Sequence, residues 1–107
     1  MAGQARVIVI IGNPASFLPD VSGAQPGKPL QAQLGDSVLW KNQTTEFHRI
    51  AVTSADGTSR FQSDVIEPFT ASAAEYVVAA GDAVASGAIS YACLLHEEEK
   101  GTIAVTG

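Results

Sequence analysis

Among 107 residues the chain has one cysteine, one methionine, and six lysines and arginines against eleven carboxylates. Each scarcity excludes something. A lone cysteine closes no internal disulfide, so no cross-link framework holds this fold. A formal net charge of −5, with the few bases scattered, offers no basic patch to displace counterions from phosphates. That argues against a nucleic-acid partner and leaves room for a basic protein partner. No apolar run approaches the length of a membrane span; Val7 to Ile11 is long enough only for a strand. Met1-Ala2-Gly3 lacks the charged start and long apolar middle of a signal peptide. The chain is then either cytoplasmic or a mature form carrying an added start methionine.

What is present fits one core. Hydrophobic residues make up 46% and charged residues 16%, as in a compact soluble protein, and the length predicts a single domain over 1–107. Strand signals follow one another from Arg6–Ile11, which is β-branched and closed by Gly12-Asn13-Pro14. A breaker-rich stretch after Phe17-Leu18-Pro19-Asp20 reads as a loop or irregular edge strand, because Pro cannot donate to a ladder. Short strands are expected at Leu30–Leu34 and, after a Gly35-Asp36 turn, at Ser37–Asn42. Gln43–Phe47 reads as a polar loop and His48–Thr53 as a strand with His48, Ile50 and Val52 on one face. Ala55-Asp56-Gly57-Thr58 is a hairpin-type turn, and Arg60–Asp64 and Val65-Ile66 look extended. For Thr70–Ala80 a strand over Glu75–Ala79 is expected, with a short helix capped by Thr70 as the alternative. Gly81-Asp82 turns the chain into a strand over Gly87–Cys93. Leu94–Lys100 is a loop, and Gly101–Thr106 is the last strand. Seven or eight short strands with regular turns predict an all-β, antiparallel β-sandwich.

The chemistry gathers in Tyr91-Ala92-Cys93-Leu94-Leu95-His96-Glu97-Glu98-Glu99, which holds the only cysteine, one of two histidines and three carboxylates. Cys93-x-x-His96 alone is a weak signal, since a lone cysteine usually fills a core and a loop histidine is usually only polar. Position strengthens it: Cys93 ends a strand, His96 follows in the next loop, and His48 ends a row of core residues on another strand. Two imidazoles and a thiolate suit a copper electron-transfer site, although with a carboxylate they also suit zinc. Trp40 is read as core packing, Asp36 as a turn residue and Asn42 as a loop anchor. At least one of Glu97, Glu98 and Glu99 is a plain solvated charge.

Taken in order, these motifs resemble the cupredoxin family of small copper proteins. Gly35-Asp36-Ser37-Val38-Leu39-Trp40-Lys41-Asn42 is similar to the family's Gly-Asp-x-Val-x-Trp-x-Asn strand. His48 falls where its first histidine stands, Tyr91-x-Cys93-x-x-His96 resembles its second cluster, and Gly101-Thr102-Ile103-Ala104-Val105 its closing strand. Phe17-x-Pro19 fits its early strand less specifically. The resemblance spans roughly residues 6–106. It implies a Greek-key sandwich, one copper per chain bound by His48, Cys93 and His96, and work in the periplasm or outside the cell as a mature protein. In short-loop members a methionine ligand follows the second histidine; laid onto this chain, its position is Glu99. The only methionine is Met1, so Glu99 is the candidate fourth ligand, with Glu46 the lesser alternative. Arg49 and Leu95 also depart from the family pattern, where Asn and Pro are frequent.

A carboxylate in place of a thioether favours copper(II) over copper(I), which implies a low potential and a perturbed, green or red rather than blue, type 1-like centre. The reading is therefore an electron carrier rather than an enzyme, with a protein redox partner, no membrane span, and a monomer assumed. The alternatives are a copper storage or delivery protein, and a red-copper site with an open catalytic position like one loosely similar relative.

Overall fold

Alternation of buried and exposed positions builds this chain, and the computed structural model describes residues 4–12, 15–20, 23, 25, 27–53, 58–79, 88–96 and 99–105. The turns expected at Asn13-Pro14, Ala55–Thr58 and Gly81-Asp82 lie wholly or partly outside the described residues. So do Ser22, Pro26, Gly87, Glu97, Glu98 and Thr106. The described strands are β1 (Ala5–Ile11), β2 (Ser16–Pro19), β3 (Leu30–Ala32), β4 (Ser37–Asn42), β5 (Ile50–Thr53), β6 (Ser59–Gln62), β7 (Tyr76–Val77), β8 (Ala88–Cys93) and β9 (Lys100–Val105). They form two sheets, in the orders β2-β1-β4-β7 and β3-β9-β8-β5-β6.

The architecture is the expected all-β sandwich, with two differences in detail. Two pairings are parallel, β1 with β4 and β3 with β9. Each joins strands far apart in sequence, so no hairpin signal announces it. The expected Leu30–Leu34, His48–Thr53 and Glu75–Ala79 strands are shorter, at three, four and two residues, with His48 left in an isolated bridge ahead of its strand, and the alternative helix after Thr70 does not form. Instead Ser72 is drawn against β4, its Oγ accepting from Trp40 N–H at 3.1 Å while its N–H donates to Trp40 O at 2.7 Å. Tertiary pairing with β4 decides the backbone there, overriding the alanine-rich local propensity. No helix among the described residues is long and apolar enough to cross a membrane.

The inner faces meet around Ile8, Ile10, Val38, Trp40, Ile50, Val52, Ile89 and Ile103, all fully buried. Burying such side chains contributes about 1.5–3 kcal/mol each before chain entropy is set against it. An aromatic seam runs through this core. Phe17 and Trp40 each meet Tyr91 edge-on, with ring centroids 4.9 and 5.3 Å apart, and Phe61 stacks on Trp40 at 6.0 Å. Tyr91 lies beside Gly101 in register, and its ring fills the space a Cβ there would need. The glycine of the closing strand is thus a packing requirement of Tyr91, two residues from Cys93. The Cys93 end of β8 is in register with Ile50, the first residue of β5, which brings the approach to His48 beside the cysteine.

Candidate metal centre

Three backbone devices bring the chemistry-bearing residues together. His48 stands ahead of β5 in a two-way pairing with Ile66, His48 N–H to Ile66 O at 3.1 Å and the reverse at 2.6 Å. Leu94 N–H donates to Arg49 O at 2.7 Å, carrying the β5–β8 ladder one step past Cys93. The loop from Cys93 to Glu99 is then closed on itself, Cys93 N–H donating to Glu99 O and Glu99 N–H to His96 O, both at 2.9 Å. His48, Cys93 and Glu99 are buried at 1%, 1% and 5% exposure, while His96 is half-buried.

Donor atoms of His48, His96 and Glu99 all lie within 4.8 Å of one another, the candidate metal cluster among the described residues. Cys93 joins it through His48, with Sγ 3.4 Å from His48 Nδ1. Glu99 Oε1 lies 3.2 Å from the same nitrogen. The His48 and His96 rings are 5.2 Å apart at an angle of 51°. Glu46, the lesser candidate, is exposed and outside this cluster; its role is through its backbone.

The surrounding network assigns which nitrogen of His48 is free. Asn42 Nδ2 donates to Glu46 O at 2.7 Å and to Ile66 O and Glu67 O at 3.2 Å. Its Oδ1 is therefore turned toward Thr44, where it accepts from Thr44 N–H at 2.9 Å and from the hydroxyl at 2.7 Å. Asn42 Oδ1 is the nearest acceptor for the hydroxyl, with Glu46 O at 3.2 Å; with the proton on that side, Thr44 Oγ1 accepts from His48 Nε2–H at 3.0 Å. In the neutral ring Nδ1 then carries a lone pair, aimed at Cys93 Sγ and Glu99 Oε1. Burial pushes the His48 imidazole below its ordinary basicity, opposed in part by the Glu99 carboxylate.

Glu99 shows the same incompleteness from the other side. Its Oε2 accepts from Ala15 N–H at 2.8 Å, but the buried Oε1 has no hydrogen-bond partner. An acceptor oxygen and an imidazole nitrogen 3.2 Å apart, away from water, are held together by a shared proton or by a metal cation between or beside them. The donor set suits a copper or zinc ion. Among the described residues the other buried side-chain atom without a hydrogen-bond partner is Trp40 Nε1, which stands in the aromatic core beside Tyr91.

Asn42 acts as the loop anchor expected of it. Sequence reasoning missed Thr44 and Ala15. Thr44 stands four residues before His48 in a polar loop, a spacing that could have flagged it. Ala15 contributes a main-chain N–H that leaves no mark in the sequence. Arg49, where the family pattern often has Asn, is turned aside to Ser63 O at 3.0 Å and Gln62 Oε1 at 3.4 Å.

No family model matches the chain, and no curated protein matches it. Solved structures do. A proline-to-glycine variant of amicyanin in its reduced Cu(I) form superposes with a TM-score of 0.62 at 18% identity, over 99% of this chain and 86% of that one. An oxidised methionine-to-lysine variant of amicyanin gives 0.63 at 18% identity, again over 99% and 86%. A purple cupredoxin from Nitrosopumilus maritimus gives 0.62 at 20% identity, over 96% of this chain and 99% of that one. At such identity the likeness carries the fold, and the fold is that of the cupredoxins.

Proposed function

We propose that this chain is a mononuclear copper protein that carries single electrons, with His48 Nδ1, Cys93 Sγ, His96 and Glu99 Oε1 as its donors. The observation that carries the reading is the pair of buried donor atoms, His48 Nδ1 and the unpartnered Glu99 Oε1, facing one another at 3.2 Å. The choice of copper over zinc is supported by the fold, since the amicyanin neighbours are described in Cu(I) and oxidised forms. When bound, copper supplies a one-electron couple. The protein's part is to hold its donors still, so that little rearrangement accompanies a change of charge. Thr44 and Asn42 fix the His48 ring, the Cys93–Glu99 loop fixes its own ends, and burial keeps water from three of the four donors.

His96, the half-buried donor, is the edge nearest a partner. Its chain neighbours Leu94 and Leu95, and Phe47 beside His48, are exposed apolar side chains that would give a protein redox partner a dry contact. The carboxylate donor favours the higher oxidation state, so the potential is low relative to a thioether-bound site. Operation in the periplasm or outside the cell is part of this reading, as a proposal from the fold alone.

Copper(II) added to the apoprotein, beside a Glu99→Met variant, tests it by visible absorption, electron paramagnetic resonance and potential. The expected result is an intense thiolate-to-copper band, moved toward blue in Glu99→Met with a raised potential. Identical spectra from the two proteins would remove Glu99 from the ligand set. Absence of the band from both would remove copper and return Cys93 to the core.

A further inference from the structure

Glu99 has two oxygens, and the fold treats them differently. Oε2 is taken by the N–H of Ala15, 84 positions earlier in the chain, at 2.8 Å. Ala15 leads directly into β2 and is packed against the core, so this donor is mounted on the scaffold and not on the ligand loop. Oε1 is left without a hydrogen bond and lies 3.2 Å from His48 Nδ1. A backbone N–H can only donate, so whatever atom faces it must be an acceptor.

We propose that the Ala15 N–H is a positioning group that reserves one oxygen of Glu99, presents the other as a single forward donor, and makes the position selective for a carboxylate over an amide. The inference rests on Glu99 being a metal donor, and its consequence is specific. A glutamine at this position has one oxygen and one NH2. Ala15 claims the oxygen, so the NH2, which cannot bind a metal, is turned toward His48 Nδ1 and donates to it. An amide without this anchor would swing its oxygen to the metal. Glu99→Gln, the most nearly isosteric change available, should therefore remove the fourth donor altogether. Ala15, far from the ligand loop in sequence, sets the chemistry of the site.

The test has one arm without metal and one with it. In the apoprotein, amide hydrogen exchange at Ala15 should be slow and should quicken about tenfold in Glu99→Met, whose thioether is a poor acceptor. In apo Glu99→Gln, nuclear Overhauser contacts should place the introduced NH2 against the His48 ring. In the metal arm, Glu99→Gln should bind copper(II) roughly 10–100-fold more weakly than the parent. Ala15→Pro combined with Glu99→Gln, which removes the competing N–H, should recover most of that loss and change the resonance spectrum toward an added oxygen donor. The proposal is overturned if Ala15 exchange is indifferent to Glu99→Met, if the NH2 lies against Ala15, or if Glu99→Gln binds as tightly as the parent with or without Ala15→Pro. If the proline variant does not fold, the two apoprotein measurements decide alone. A missing thiolate band in the parent with Ala15 behaving as expected would reject the copper reading and keep the anchor.

Discussion

Asp36 and Glu99 are the two buried carboxylates among the described residues, 2% and 5% exposed, and the molecule completes one and leaves the other open. Asp36 Oδ1 accepts from Gln4 N–H at 2.8 Å, and Oδ2 from Gln33 N–H at 2.9 Å and Arg6 Nε at 3.1 Å. Every direction around it is filled by a donor, and it ties the approach to β1 to the turn before β4. Glu99 has one donor on one oxygen and a second oxygen without a hydrogen bond, facing His48 Nδ1 at 3.2 Å. Burying a carboxylate costs free energy in both places. At Asp36 the fold repays that cost itself. At Glu99 it does so only in part; in the proposed reading the metal supplies the rest. The contrast separates a carboxylate that builds the fold from one the fold holds in reserve.

The comparison is broken most forcefully at its completed end. Asp36→Ala strands two backbone N–H groups and the Arg6 guanidinium, and should cost on the order of 2–4 kcal/mol. Denaturant unfolding measures this, and the copper spectrum of whatever remains folded should be unchanged. The pH dependence follows from the same contacts. The N–H groups of Gln33 and Gln4, and then the Arg6 guanidinium, hold the Asp36 carboxyl below its ordinary value of 3.8, against the opposing effect of burial. A folded value below the unfolded one means stability that is fully present above the unfolded value. It is lost as pH falls from there through the folded value. Acid unfolding of the parent should therefore show a proton uptake below about pH 4 that Asp36→Asn abolishes.

Next in size is the relay that feeds the open end. Thr44→Val leaves His48 Nε2–H without its partner in a buried place and Asn42 Oδ1 with the backbone N–H of position 44 alone. About 1–3 kcal/mol of apoprotein stability should be lost, together with about 10–100-fold in copper affinity. Thr44→Ser, which restores the hydroxyl, should recover both. If valine weakened the fold and left affinity untouched, Thr44 would belong with Asp36 as a part of the scaffold.

How far these two regions were legible in the sequence differs for the same reason that their roles differ. Alternation placed His48, Ile50 and Val52 on one buried face, and the run Ser37–Asn42 is a strand at those bounds. Those readings succeed for the strand residues because side-chain direction in a strand is fixed by a period of two; His48 shares the buried face from an isolated bridge two residues ahead of β5. Asp36 was legible only as a turn residue, since two of its three donors are backbone groups at Gln4 and Gln33, which any residue but proline would supply. The parallel pairs β1–β4 and β3–β9 leave no local signal, because the contacts that select them are distant in sequence. At the candidate metal centre, the side chains that the fold brings together were nameable from their chemistry and order. Ala15 could not, because its contribution is made by the backbone. Hydrogen bonds from main chain to side chain across 84 positions are a property of the folded topology.

The smallest expected effect is the one that decides what Glu99 is for. Without metal, Glu99→Met removes an oxygen that has no hydrogen bond and replaces it with an apolar group of similar length. The gain from removing the unpartnered Oε1 is offset by the acceptor that Ala15 loses, a group only partly buried. The net change in apoprotein stability should therefore lie within about 1 kcal/mol of zero, by denaturant unfolding under metal-free conditions. The same substitution moves the copper spectrum and potential if Glu99 is a donor. A carboxylate whose loss the apoprotein barely registers, while the metal-bound form changes, is there for the metal. Should Glu99→Met instead cost as much as Asp36→Ala, the two buried carboxylates would be doing the same structural task. The unpartnered oxygen would then have lost its claim to be a ligand.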